Sequence, residues 1–224
     1  MSKFLASVNS LEEARLVNAI GVDIIDLKQP AQGALGALDS PTIRDIVAQF
    51  GEKTPISATI GDLPMQPETL ANAVNAMSAL GVDYIKLGFF PGGDWLKCLS
   101  ALTPLCAQNN ALIAVLFADT APPLPFIESL KAAGFRGVML DTMDKTRGSL
   151  TKVMSHSQIA QFVSTAQQFN LLCGLAGSLK MTDIPTLIEL QPDYLGFRGA
   201  LCKEQQRTAS LNQDAVFNIW QALN

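Results

Sequence analysis

Eight short apolar runs recur along this 224-residue chain at a mean spacing of about 27 residues. They read FLASV from Phe4, DIIDLK from Asp23, PISATIG from Pro55, YIKLGF from Tyr84, LIAVLFA from Leu112, GVMLDT from Gly137, LLCGLAG from Leu171 and YLGFRGA from Tyr194. Short runs with few charges suit strands buried on both faces. One step holds a strand, a helix and two loops. The intervening segments carry helical period: Ile43, Ile46, Val47 and Phe50 follow i, i+3, i+4, i+7, as do Ile159, Phe162, Val163 and Ala166. Ser10 and Glu13 form an S-x-x-E capping box, and Pro41 suits a first helical turn. Gly21, Gly51, Gly81 and Gly134 fall where helix exits favour positive φ.

No linker or low-complexity tract interrupts the series. The predicted class is therefore α/β, one (β/α)8 TIM barrel domain over residues 1–224. The rival, an open doubly wound sheet, would usually carry G-x-G-x-x-G after its first strand, and this chain has none. A weak repeat, GVDIIDL (21–27), GVDYIKLG (81–88) and PDYLGFRG (192–199), puts Asp23, Asp83 and Asp193 at strand starts. That is the bottom of a barrel, where acidic residues serve stability.

Composition removes several function classes. A net charge of −4, a pI near 5.0 and no basic cluster argue against nucleic acid as a partner. No stretch approaches the ~18 unbroken apolar residues of a membrane span. Glu12 and Glu13 arrive before any signal-peptide core can form, which predicts a cytoplasmic protein. Cys98, Cys106, Cys173 and Cys202 form no C-x-x-C pair, so they read as reduced thiols. Only 16% of residues are charged, which predicts a homo-oligomer with a buried interface.

The few charges collect at strand ends, where active sites of this fold lie. Asp26 and Lys28 end the second run, Asp62 follows the third, Lys86 interrupts the fourth and Asp119 closes the fifth. Asp141 closes the sixth with Lys145 just beyond, Lys180 follows the seventh, and Arg198 lies in the eighth. Asp26 and Lys28, two apart, share a face. Lys86 opposes the faces of Ile85 and Leu87, so it projects inward if those pack outward. An internal salt-bridge layer is the bland alternative.

GLAGSLK (174–180) and GFRGA (196–200) add a second signal. Loops after strands seven and eight commonly cradle phosphate in this fold. Gly177, Ser178, Gly199 and Ala200 would offer backbone N–H groups, with Arg198 or Lys180 complementing the charge. GALGA (33–37) is either a mobile lid or a turn. With His156 the only histidine and a surface or capping residue, a His-centred triad is unsupported. A Mg²⁺ site on Asp26, Asp62, Asp119 and Asp141 is disfavoured by the interleaved lysines, so neither metal nor cofactor is expected. Crowded lysines in a low-dielectric barrel become neutral amines that attack carbonyls, while neighbouring carboxylates move protons. The residues suggest Schiff-base chemistry on a small phosphorylated aldehyde or ketone.

These segments resemble the (5-formylfuran-3-yl)methyl phosphate synthase family, also called 4-(hydroxymethyl)-2-furancarboxaldehyde-phosphate synthase. The resemblance rests on DIIDLKQPAQGALGA (23–37), SATIGDLP (57–64), DYIKLG (83–88), MLDTMDK (139–145), GLAGSLKMTDIP (174–185) and GFRGALC (196–202). It implies a (β/α)8 lyase that condenses two glyceraldehyde 3-phosphate molecules into a furan phosphate for methanofuran-type C1 cofactors. Carried over by motif, the Schiff-base lysine falls on Lys28 and the proton-accepting lysine on Lys86, with Asp26, Asp141 and Lys145 in support. Thr146-Arg147-Gly148-Ser149 departs from the family pattern, where a further lysine and glycine are expected. Rival readings are a class I aldolase or sugar-phosphate isomerase, or a non-catalytic barrel that binds a phosphometabolite.

Overall fold

The computed structural model describes residues 2–108 and 110–224; of the predicted 1–224 domain, Met1 and Asn109 lie outside the description. Its eight strands are β1 (Lys3–Val8), β2 (Ile24–Leu27), β3 (Ile56–Thr59), β4 (Tyr84–Gly88), β5 (Leu112–Phe117), β6 (Gly137–Asp141), β7 (Leu172–Leu175) and β8 (Tyr194–Phe197). All pair in parallel, in sequence order, and β8 returns to β1 to close a barrel. Each strand starts within a residue of its apolar run. The helices are α1 (Leu11–Ile20), α2 (Ser40–Phe50), α3 (Pro67–Ser78), α4 (Trp95–Cys106), α5 (Phe126–Ala132), α6 (Leu150–Val153), α7 (His156–Gln168), α8 (Ile184–Ile188) and α9 (Gln213–Leu223). The single turn α6, before α7, is the one addition to the predicted ring of eight.

Alternation along the strands sorts the core into two shells. Outward residues such as Phe4, Ile25, Ile56, Leu87, Leu116 and Leu140 pack beneath the helices. Ile43, Ile46 and Phe50 of α2 and Ile159, Phe162, Val163 and Ala166 of α7 meet them with the predicted periodicity. Inward residues Leu5, Ile24, Ile113, Val115, Phe117, Met139 and Tyr194 form a smaller cluster inside the barrel. Tyr194 crosses this interior because Gly174 has no Cβ; one would lie 2.2 Å from Tyr194 Cε2. Gly174→Ala is therefore expected to cost about 1–3 kcal/mol through overpacking, read as a lowered melting temperature with an unchanged far-ultraviolet spectrum.

The acidic repeat has one geometric job. Asp23 accepts from Phe4 N–H at 2.8 Å, Asp83 from Ile56 N–H at 2.8 Å and Asp193 from Cys173 N–H at 2.6 Å. Each carboxylate thus clamps the neighbouring strand's start at the bottom of the barrel, satisfying a donor that the ladder leaves open. Two local readings need correction. Gly51 is helical, with φ −60°, whereas Gly21, Gly81 and Gly134 have positive φ. The Ser10–Glu13 box is half formed: Ser10 Oγ accepts from Glu13 N–H, but the Glu13 side chain turns to Asn9 N–H and to Arg198. Among the described residues, no helix is long and apolar enough to cross a membrane.

Candidate active site

Strand register brings the ionisable residues together inside the upper barrel. Ser7, Asp26 and Ser57 are direct lateral partners on β1, β2 and β3, and all three point inward. Asp26, fully buried, accepts from Ser7 Oγ at 2.7 Å and from Ser57 Oγ at 2.6 Å. Its third contact is the Lys86 ammonium at 2.5 Å. Lys86 projects from the middle of β4 between outward Ile85 and Leu87. Burial pushes the Lys86 pKa down, Asp26 opposes that fall, and Lys28 adds to it. The result is a buried amine in direct contact with a buried carboxylate.

A second pair sits above the first. Lys28, one residue past β2, reaches the Asp141 carboxylate of β6 at 3.4 Å. Lys145 binds the other oxygen of Asp141 and donates to the Thr142 carbonyl at 2.5 Å. Burial opposes ionisation of Asp141, but Lys145, Lys28 and the Thr142 N–H outweigh it and hold the carboxyl well below the usual range. Burial lowers the Lys145 pKa, against the pull of Asp141. Alternation correctly put Asp26 and Lys28 on one face, yet they are not partners: Asp26 serves Lys86, and Lys28 faces Asp141. Among the described residues Lys28 makes one long contact and is the least restrained of the three amines.

These side chains share a cavity of about 350 Å³ at the C-terminal ends of the strands with Gly177, Ser178, Gly199, Ala200 and Arg207. Gly177 has φ +103°, and a Cβ there would lie 2.9 Å from Thr142 N. That close approach brings the loop after β7 against the strand end that carries Asp141. Among the described residues, the N–H groups of Gly177, Ser178, Gly199 and Ala200 donate to no protein acceptor. They are free to bind an anion. A larger cavity of about 680 Å³ opens at the opposite end, lined by Leu5, Ile24, Ile113, Tyr84 and Tyr194. It reaches Lys86 from beneath but meets none of the carboxylates that pair with lysine. The chemistry collects in the smaller one.

Arg198 does not offer its charge to the cavity as the sequence suggested. All five of its N–H donors are taken: Nε by the Arg207 carbonyl, Nη1 by Ser7 O and Glu13, and Nη2 by Glu13 and Ala209 O. Lys180 is exposed at the rim. Asp62 and Asp119 clamp backbone instead of facing substrate. Asp62 accepts from Ala34 and Leu35 N–H, Asp119 from Met143 and Asp144 N–H. With Leu35 buried and the Gly36 carbonyl held by Thr59 Oγ1, the 33–37 segment is a fastened plug between the two readings offered. His156 is exposed in the first turn of α7.

A family model described as 4-HFC-P synthase matches residues 4–219. The chain belongs to that family. A Methanosarcina mazei relative named (5-formylfuran-3-yl)methyl phosphate synthase is 34% identical over 225 residues, covering 96% of each chain. A Methylorubrum extorquens protein bearing that name in provisional form is 40% identical over 222 residues, 99% of this chain and 91% of its own. Among solved structures, phosphoribosyl anthranilate isomerase of Thermus thermophilus shares the barrel, with a TM-score of 0.70 over 100% of this chain and 98% of the other at 13% identity. In this 4-HFC-P synthase family member the 146–149 stretch is tied down locally. Asp144 caps the turn by accepting from Thr146, and Arg147 reaches the Asp119 carbonyl. Lys145 still meets Asp141.

Three contributors escaped the sequence. Ser7 and Ser57 stand at inward positions of otherwise apolar strands, so period-two alternation applied to hydroxyls could have found them. Arg207 lies in the polar stretch QQRTAS, where no periodicity marks it.

Proposed function

We propose that this barrel is a metal-independent lyase that joins two glyceraldehyde 3-phosphate molecules into (5-formylfuran-3-yl)methyl phosphate, a furan precursor of methanofuran-type cofactors. The observation that carries the reading is the pairing of two lysines with different restraints over one cavity. Lys28 is loosely held and lines the cavity. Lys86 is locked to Asp26 as a proton carrier. In this scheme Lys28 Nζ adds to the aldehyde carbon of one triose, and water leaves as the imine forms. The Lys86–Asp26 pair takes the proton from the adjacent carbon and returns it during later steps. The resulting carbon nucleophile bonds to C3 of the second triose as the C–O bond there breaks and inorganic phosphate leaves. The C2 hydroxyl of that triose then closes on the imine carbon, expelling the Lys28 amine. Loss of the remaining hydroxyl as water completes the furan, with the second triose's aldehyde kept as the formyl group. Overall, two trioses lose one phosphate and two waters, and aromaticity of the furan drives the sequence forward. Asp141 and Lys145 hold the Lys28 side of the cavity in place, and the free N–H groups of the β7 and β8 loops receive phosphate.

Glyceraldehyde 3-phosphate alone, with EDTA-treated protein, is expected to yield an ultraviolet-absorbing product with the mass of the furan phosphate and one equivalent of inorganic phosphate. A hexose bisphosphate or dihydroxyacetone phosphate would instead show an aldolase or isomerase, and an unconsumed triose a binding protein. Activity lost on chelation and restored by Mg²⁺ would overturn metal independence.

A further inference from the structure

We propose that Arg207, in the loop between β8 and α9, is the cation that holds a substrate phosphate at the barrel mouth. The inference deepens the triose phosphate reading and rests on it. Arg198, the cation nearest in sequence to the cradle, has no donor left. What Arg198 does instead is grip the carbonyls of Arg207 at 2.8 Å and Ala209 at 3.0 Å while Glu13 holds it from α1. Glu13 also accepts from Leu211 N–H at 3.2 Å. The loop that carries Arg207 is thus fastened to the barrel wall by a buried ion pair, and the guanidinium of Arg207 is left to face the cavity.

That guanidinium is half-buried, and among the described residues it forms no ion pair. The carboxylates that act on it are Asp62 and Asp141, and both are committed elsewhere: Asp62 to two backbone N–H groups, Asp141 to two lysines and the Thr142 N–H. Among the described residues, the hydrogen bond of its side chain runs from Nη2 to the Gly33 carbonyl at 2.9 Å, leaving four of the five N–H donors unused. The remaining Nη2 N–H pairs with either Nε–H or Nη1–H to leave one two-pronged edge, which matches a phosphate's bidentate geometry. These donors share one cavity with the four unengaged N–H groups of the β7 and β8 loops. The Gly33 contact adds a second consequence. It ties the phosphate-reading arginine to the loop that follows Lys28, so the bound phosphate and the reactive amine are set by one framework.

Two measurements on the full chain test this. Inorganic phosphate binding is followed by calorimetry for the parent, Arg207→Met and Arg207→Lys. Borohydride trapping rates are compared for glyceraldehyde 3-phosphate and unphosphorylated glyceraldehyde. Arg207→Met is expected to weaken phosphate roughly 10–100-fold and to collapse the preference for the phosphorylated aldehyde by a similar factor, with Arg207→Lys between. A folded Arg207→Met protein, judged by its melting transition, that binds phosphate and keeps the preference as the parent does would overturn the proposal. If Arg207→Met fails to fold, Arg207→Lys decides: parental phosphate affinity with parental preference overturns it equally. A parent that traps both aldehydes alike would instead sink the triose phosphate reading beneath it.

Discussion

Lys28→Ala is expected to lower turnover of glyceraldehyde 3-phosphate by at least about 10³-fold, the scale seen when a covalent nucleophile is removed. Lys28→Arg should do no better, although it keeps the positive charge opposite Asp141. A guanidinium stays protonated and cannot become the attacking amine. The contrast with Lys86 sharpens the expectation. Lys86→Ala leaves Lys28 and its 3.4 Å contact with Asp141 in place, so imine formation continues while proton transfer stalls. Rapid-quench kinetics with borohydride separates the two: Lys28 variants give no trapped species, and Lys86→Ala accumulates one. Equal loss of trapping in both would show that the two amines do not divide the work as argued.

Asp26→Asn is the substitution expected to cost most stability. Lys86 has 2% of its side chain exposed, and among the described residues Asp26 is its only carboxylate contact within ion-pair distance. Removing one partner of a buried pair leaves an uncompensated charge, at about 3–5 kcal/mol. The pH dependence has a definite sign. Burial already lowers the Lys86 pKa below its unfolded value, so between the two values the unfolded chain binds more protons and stability rises with pH. Without Asp26 the opposing pull is gone and the window widens. Urea unfolding should therefore show a large deficit near neutral pH that shrinks as the solution is made alkaline. A variant as stable as the parent at neutral pH, or one whose deficit ignores alkaline pH, would contradict the account of this pair.

The fold was legible because short apolar runs and segments of helical period recur in step along the chain. In YIKLGF, Lys86 opposes the faces of Ile85 and Leu87, so its inward projection follows once those two pack outward, whereas nothing in FLASV singled out Ser7. Which charge meets which was not legible. Asp26 and Lys28 share a face, but partners are set by lateral register around the barrel, which places Asp26 between Ser7 and Ser57 and within reach of Lys86 on β4. Asp141 reaches Lys28 across the mouth from the sixth strand. Arg198 shows the same limit. Its segment lies at the cradle, yet its guanidinium turns into the wall toward Glu13 of α1, a contact between the two ends of the chain that no local pattern encodes. Arg207 gains its place only through that contact.

The central claim is an imine on Lys28, and peptide mapping of the parent protein after borohydride reduction in the presence of glyceraldehyde 3-phosphate tests it most directly. The expected result is one added reduced triose phosphate on the peptide containing Lys28, with Lys86 and Lys145 unmodified. Label on Lys86 or Lys145 with Lys28 clean, or no adduct while the triose is consumed, would contradict it.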